Sequence, residues 1–249
     1  MPIIKQSEYR AYPAINASYL KQILSRSKWH ADVPLEPTAA MKLGTLVHSH
    51  ILEPDTVARD YAVFEGDRRT KAGKEAYTAL LESGKEIVTA KDKATAEAMT
   101  DSVRAHKLLA EYLDNAAFTE CSMTFEYDGH DAKAQIDLFT KDNILVDLKT
   151  VGDIYQAQRQ FFNMHYALQL AWYKLALEGN GFTVDSVAVL FVETQAPHQC
   201  ALFELTEPVL LHGLREAAEA VDKYLAQREL VHPELINQRL ALPAWLNQE

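Results

Sequence analysis

The stretch from Ala134 to Lys149 most constrains how this chain can fold. Residues 134–140 and 143–149 read as two strands, and Lys141, Asp142 and Asn143 between them are polar and turn-prone. A hairpin centred on Asp142 pairs Phe139 with Leu145, Leu138 with Val146, and Asp137 with Asp147. Directly opposed side chains lie about 4.5–5.5 Å apart at Cβ, so two like charges there are destabilising unless a cation separates them. Lys149 stands two residues past Asp147 and shares its face. The residues alone leave two readings open: a solvated hairpin face, or an oxygen-liganded divalent cation with a cationic helper. Ile136, Leu138, Val146 and Leu148 make one apolar face, and Phe139 and Leu145 make the other partly apolar. Strands apolar on both faces are central in a sheet, which points to partial burial of these charges.

The rest of the chain supplies enough apolar residues to bury such a hairpin. Of 249 residues, 48% are hydrophobic and 24% charged, the balance of a globular protein. The net charge of −10 weighs against nucleic-acid binding by bulk electrostatics, although a local basic cleft can override the sum. Cys121 and Cys200 have no metal-finger spacing and make no disulfide framework. The opening residues Met1 to Gln6 do not read as a signal peptide, and no run is apolar enough to span a membrane. A reducing, cytoplasmic setting is the expectation.

Periodicity and punctuation give the element order. Asn16 or Ser18 caps a helix to about Trp29, and Thr38 caps another that ends at Glu53 and Pro54. A short strand over 61–64, a basic loop, a helix over 72–82 and a strand over 86–89 follow. A long helix is predicted over 91–113. Strands then fall at 120–127 and in the hairpin, a long helix at 154–177, strands at 184–194 and 199–205, and a last helix from Glu207 and Pro208. This order predicts an α/β (α+β) fold: a mixed sheet flanked by helices, with a helical part over 1–115, a core over 116–230 and a tail over 231–249 that wraps the surface. We expect a single domain over 1–249.

Several polar residues sit where they can serve a site. Gly44, His48 and Leu52 share one helix face, and a glycine within a helix often marks a close approach. Lys133, Gln135 and Asp137 alternate onto one strand face, which places Lys133 near the carboxylates. Gln169 and Tyr173 lie one helical turn apart, as a half-buried polar pair or as support for a site. Arg68, Arg69, Lys71 and Lys74 form the sharpest basic cluster, suited to phosphates or simply to solvent. Glu120 starts a strand and can point toward the carboxylates. No phosphate-binding glycine loop, paired-cysteine motif, His-Glu-x-x-His or Gly-x-Ser-x-Gly is present.

The ordered set of Gly44 to His48 with Leu52 and Glu53, then Asp137, then Asp147-Leu148-Lys149, then Gln169 to Tyr173, resembles the PD-(D/E)XK nuclease superfamily. Within it the order is similar to the RecB-type branch, and most similar to the nuclease domain of the RecE exonuclease of phages and prophages. Ile136 stands where the superfamily name has proline, and two cysteines exclude the iron–sulfur members. The resemblance implies a restriction-endonuclease-like core and a Mg²⁺ ion, with Mn²⁺ as substitute, held by Asp137, Asp147, the Leu148 carbonyl and His48. It implies Lys149 as the group that orients or deprotonates water. Gln169 and Tyr173 would position DNA, and Arg68, Arg69, Lys71 and Lys74 would hold the duplex or the displaced strand. The implied activity is 5′→3′ digestion of linear double-stranded DNA by a homo-oligomeric ring. The implied partner is a RecT-like annealing protein in a bacterial cytoplasm.

Overall fold

The computed structural model describes residues 6–233, so the surface-wrapping tail expected beyond Pro233 lies outside the described residues. The N-terminal half is helical: α1 (Gln6–Ala11), α2 (Ala17–Ser25), α3 (Lys28–Ala31), α4 (Ala39–Leu52) and α5 (Pro54–Asp60). Side-chain caps start these helices where the sequence offers them. Asn16 accepts from the Tyr19 N–H, and Thr38 from that of Met41. Next come β1 (Tyr61–Phe64), α6 (Lys71–Glu82) and β2 (Glu86–Thr89). β1 and β2 pair in parallel, which the α6 crossover makes possible.

The helix expected over 91–113 is two helices, α7 (Ala90–Ala105) and α8 (Lys107–Asp114), because His106 between them adopts an extended backbone. No proline or glycine at that point announces the break. The strands β3 (Ala116–Tyr127), β4 (His130–Thr140) and β5 (Ile144–Val151) follow without a helix between them. The helix expected over 154–177 is also divided. A single 3₁₀ turn at Ile154–Gln156 leads into α9 (Ala157–Asn163), and α10 (Tyr166–Gly179) starts after His165, whose φ of 52° is left-handed. β6 (Ser186–Glu193), β7 (Cys200–Glu204) and α11 (Glu207–Arg228) complete the described chain.

The five strands β3 to β7 form one mixed sheet in sequence order, parallel only between β5 and β6, where α9 and α10 make the crossover. β5 is its central strand, as its two-sided apolar pattern predicts. One face packs on α2, α10 and α11, the other on α4, α7 and α8. α10 is buried on nearly every side. Its Trp172 ring packs 5.1 Å from Phe125 and 4.9 Å from Tyr127, and its indole N–H donates to the Lys133 carbonyl at 3.1 Å. α11 lies so close to α10 that a Cβ at Gly213 would stand 2.1 Å from the Ala167 carbonyl oxygen. Gly44, by contrast, is not forced: a Cβ there would meet Thr150 at an ordinary 3.5 Å. α2 and α3 are both fastened to α11. Lys223 Nζ donates to the Leu24 carbonyl at 3.0 Å, and the Lys28 N–H donates to Gln227 Oε1 at 2.9 Å.

Candidate metal centre and active site

The hairpin register is the one the turn predicts, with Leu138 opposite Val146 and Phe139 opposite Leu145. The pairing stops there. Asp137 and Asp147, next in register, do not face each other as a ladder pair; the Asp137 Oδ2 instead accepts the Leu148 N–H at 2.8 Å. On the other side of β4, the β3 pairing runs through Thr119 with Leu138 and Cys121 with Ile136, and leaves Glu120 and Asp137 out. Glu120 has a left-handed φ of 44°, a conformation that costs energy in a non-glycine residue and often marks a functional position.

This irregularity switches the faces of the strands. Ile136 packs with Met123 and Trp172 on the α10 side, whereas Leu138 packs with Leu46 and Val47 on the α4 side. The sequence expectation of one continuous apolar face through Ile136 and Leu138 is therefore corrected. The side chains at the switch point have no fixed layer and are free to converge. His48 from α4 reaches them. Its Nε2 lies 2.9 Å from the Leu148 carbonyl, and its Nδ1 lies 3.2 Å from Glu120 Oε1 and 3.8 Å from Asp137 Oδ2. Both ring nitrogens thus face acceptors, a geometry that the imidazolium satisfies and neutral imidazole does not. Burial disfavours the charge, but Asp137 and Glu120 outweigh it and raise the His48 pKa above the usual 6.5.

One donor atom each from His48, Glu120 and Asp137 lies within 4.8 Å of the others. An imidazole nitrogen with two carboxylates fits Mn²⁺ well and Mg²⁺ acceptably. Gln135 Nε2 donates to Glu120 Oε2 at 2.5 Å and orients it. Glu120 thus joins His48 and Asp137 in this cluster.

Asp147 belongs to a second, buried group. Its Oδ2 lies 2.5 Å from Lys149 Nζ, and its Oδ1 accepts from Gln169 Nε2 at 2.9 Å. Burial pushes the Asp147 carboxyl up, with Asp137 adding to the shift and Lys149 opposing it. Burial lowers the Lys149 ammonium, but Asp147 and Asp137 together more than offset this, so Lys149 is firmly charged in the metal-free site. Gln169 Nε2 also donates to the Tyr173 hydroxyl at 2.9 Å. Gln169 and Tyr173 are buried rather than half-exposed, so they support Asp147 and do not present a surface to DNA.

One further expectation is corrected. Lys133 does not reach the carboxylates. Its ammonium donates to the carbonyls of Tyr9 and Tyr12 at 2.8 and 2.6 Å and fastens the N-terminal segment to β4. Arg68, Arg69, Lys71 and Lys74 are exposed around the start of α6, and none bonds to the cluster. Arg69 is engaged by Asp67 at 2.8 Å, and Arg68 lies over the Tyr77 ring.

Residues 7–234 match the family described as a PDDEXK-like domain of unknown function (DUF3799). The chain belongs to this family. The PDDEXK-like nuclease fold accounts for the central β4–β5 hairpin and the flanking helices. A solved structure of a candidate exonuclease from Eubacterium rectale aligns with this PDDEXK-like chain with a TM-score of 0.66, at 15% identity, over 96% of this chain and 95% of that one. At that identity the likeness speaks for the fold. A phage-related exonuclease from Haemophilus somnus 129PT aligns over 89% of this chain and 97% of that one, at 16% identity and a TM-score of 0.40. No curated protein matches the sequence. Among the described residues no helix is long and apolar enough to cross a membrane.

Sequence reasoning missed one member of this PDDEXK-like site and undervalued another. Lys21 of α2 donates to Gln169 Oε1 at 2.6 Å across 148 residues of chain, and burial, reinforced by Lys149, lowers its pKa to about 8. No local pattern announces that contact. Glu120 was legible as the residue out of phase with the apolar Cys121, Met123 and Phe125 alternation.

Proposed function

We propose that the protein is a divalent-metal-dependent deoxyribonuclease that digests the 5′-ended strand of linear duplex DNA and leaves a 3′ single-stranded tail for recombination by annealing. The observation that carries the nuclease reading is the convergence of His48, Glu120 and Asp137 where β4 and β5 part, next to the buried Asp147–Lys149 pair. A bound Mg²⁺ or Mn²⁺ would polarise the scissile phosphate and acidify water. His48, Glu120 and Asp137 would hold the ion, with the Leu148 carbonyl beside them and Asp147 behind, on the α10 side, paired with Lys149. Lys149 orients the attacking water and offsets negative charge on the phosphorane-like transition state, for which its charged form is the useful one. Gln169 and Tyr173 keep Asp147 in position. Arg68, Arg69, Lys71 and Lys74 hold duplex or displaced strand by phosphate contacts, which their exposure permits.

Polarity, a ring of several copies, a RecT-like annealing partner and a phage or prophage setting in a bacterial cytoplasm rest on the resemblance. A ring with a basic inner channel and an acidic exterior accommodates the net charge of −10. The deciding experiment is digestion of linear duplex DNA labelled at one 5′ end, with Mg²⁺ and with EDTA, beside a closed circle. Metal-dependent release of labelled nucleotide from the linear form alone, absent in Lys149→Ala, is the expected result. Cutting of the circle would replace this reading with an endonuclease. No digestion with either metal would leave a DNA-binding role.

A further inference from the structure

The half-buried cation at the site that the proposed reaction does not use is Lys21. Its ammonium lies 2.6 Å from Gln169 Oε1 and 4.9 Å from the Tyr166 ring centroid, and Lys149 Nζ lies 5.1 Å from the same ring. Among the described residues, Gln169 is the only side chain that joins Lys21 to Asp147 by hydrogen bonds. A glutamine amide has two unlike ends of nearly identical shape, and only its partners decide which end points where. Flipped, Gln169 would turn its oxygen on Asp147 Oδ1, an acceptor against an acceptor inside the core. Tyr173 does not prevent this, because a hydroxyl can donate as well as accept. The ammonium of Lys21 can only donate, and a charged donor at 2.6 Å makes a strong bond. It therefore holds the carbonyl end and presents the NH₂ end to Asp147.

We propose that Lys21 is a positioning residue that locks the Gln169 amide in one orientation and thereby keeps the Asp147 carboxylate aimed at Lys149. The lock spans two helices, α2 and α10, so the site is set by how these helices pack and not by the hairpin alone. The kinetic part of this inference rests on the nuclease reading; the structural part does not.

The test uses the whole, metal-free protein with ¹⁵N-labelled glutamine. In the wild type the Gln169 side-chain NH₂ gives two resolved, slowly exchanging proton signals. Lys21→Met is expected to shift or broaden them and speed their exchange at least about tenfold, and Lys21→Arg to restore them. In cleavage assays Lys21→Met is expected to lower kcat about tenfold to a hundredfold with little change in KM for DNA. In a Gln169→Met background, Lys21→Met is expected to add nothing. Unchanged Gln169 signals in folded Lys21→Met, or effects on kcat that multiply in the double variant, would overturn the lock. A raised KM with a reduced salt dependence would also overturn it, by making Lys21 a direct phosphate contact. If Lys21→Met does not fold, Lys21→Gln carries the same readouts, because a neutral amide bonds to either end of Gln169. A wild type that shows the protected amide but cuts no DNA would sink the nuclease reading and leave the lock standing.

Discussion

The two halves of the site differ in how complete they are. On the α4 side, His48, Glu120 and Asp137 form a half-open group whose donor atoms lie within 4.8 Å of one another. On the α10 side, the buried Asp147, Gln169 and Tyr173 and the half-buried Lys149 and Lys21 form one bonded chain. The first half is a group of donors that could take a metal ion. The second is a fixed frame that keeps one cation, Lys149, charged and in place. β5 divides them: its Leu148 peptide serves the α4 side and its Asp147 and Lys149 side chains serve the α10 side.

Removing Asp137 should break the comparison most severely, because this residue serves both halves. Asp137→Ala loses a metal ligand and leaves the Leu148 N–H without its partner, at a cost of about 1–3 kcal/mol. Calorimetric Mn²⁺ titration should show affinity lowered by about a hundredfold or more, with cleavage lost. Normal affinity in that variant would remove Asp137 from the ligand set. Lys149→Ala attacks only the fixed half. Cleavage should fall by about 10²–10³-fold while Mn²⁺ affinity stays near wild type, since none of the three clustered donors is touched. A matching loss of Mn²⁺ binding would show that the two halves act as one.

The pH dependence sharpens the difference between them. His48 must release its proton to bind a metal, so below its raised pKa the apparent Mn²⁺ affinity should fall about tenfold per pH unit, and above it level off. The sign for folding is opposite. A raised pKa in the folded state gives stability that is fully present below the unfolded value near 6.5 and lost as pH rises through the folded value. Metal-free protein should therefore melt at lower temperature as pH rises from 6.5 through that value, while Mn²⁺ stabilises it most at the upper end. Melting curves that rise with pH over this interval without metal would remove the imidazolium from the account.

The smallest effect tests the frame at a distance. Gly213→Ala places a methyl group against the Ala167 carbonyl and should cost about 1–3 kcal/mol. Differential scanning calorimetry would read this as a drop of several degrees, with Mn²⁺ affinity unchanged. No change in melting temperature would mean that α11 shifts freely on α10.

What was legible in the sequence was local. The turn at Lys141 to Asn143 set the hairpin register, and the caps Asn16 and Thr38 set the starts of α2 and α4. His48, Asp137, Asp147 and Lys149 were readable because each lies on an element with a clear period. The face switch at Glu120 and Asp137 was not, because it depends on His48 and Gln135 pulling those carboxylates out of a ladder that alternation alone would continue. Lys133 was misread for the complementary reason. Its strand face is right, but its ammonium answers to carbonyls more than a hundred residues away in the chain. The same distance hid Lys21.

The fastening of α2 and α3 to α11 has a consequence for synthesis. A ribosome delivers α2 early, yet the partner of Lys21 is made 148 residues later and the partner of the Lys28 N–H 199 residues later. Until then α2 has only α3 to lie against, and the frame around Asp147 cannot set. A chain interrupted before α10 therefore lacks the frame around Asp147, however well its α4 helix and hairpin have formed. The complete site therefore exists only in molecules whose α10 has been made.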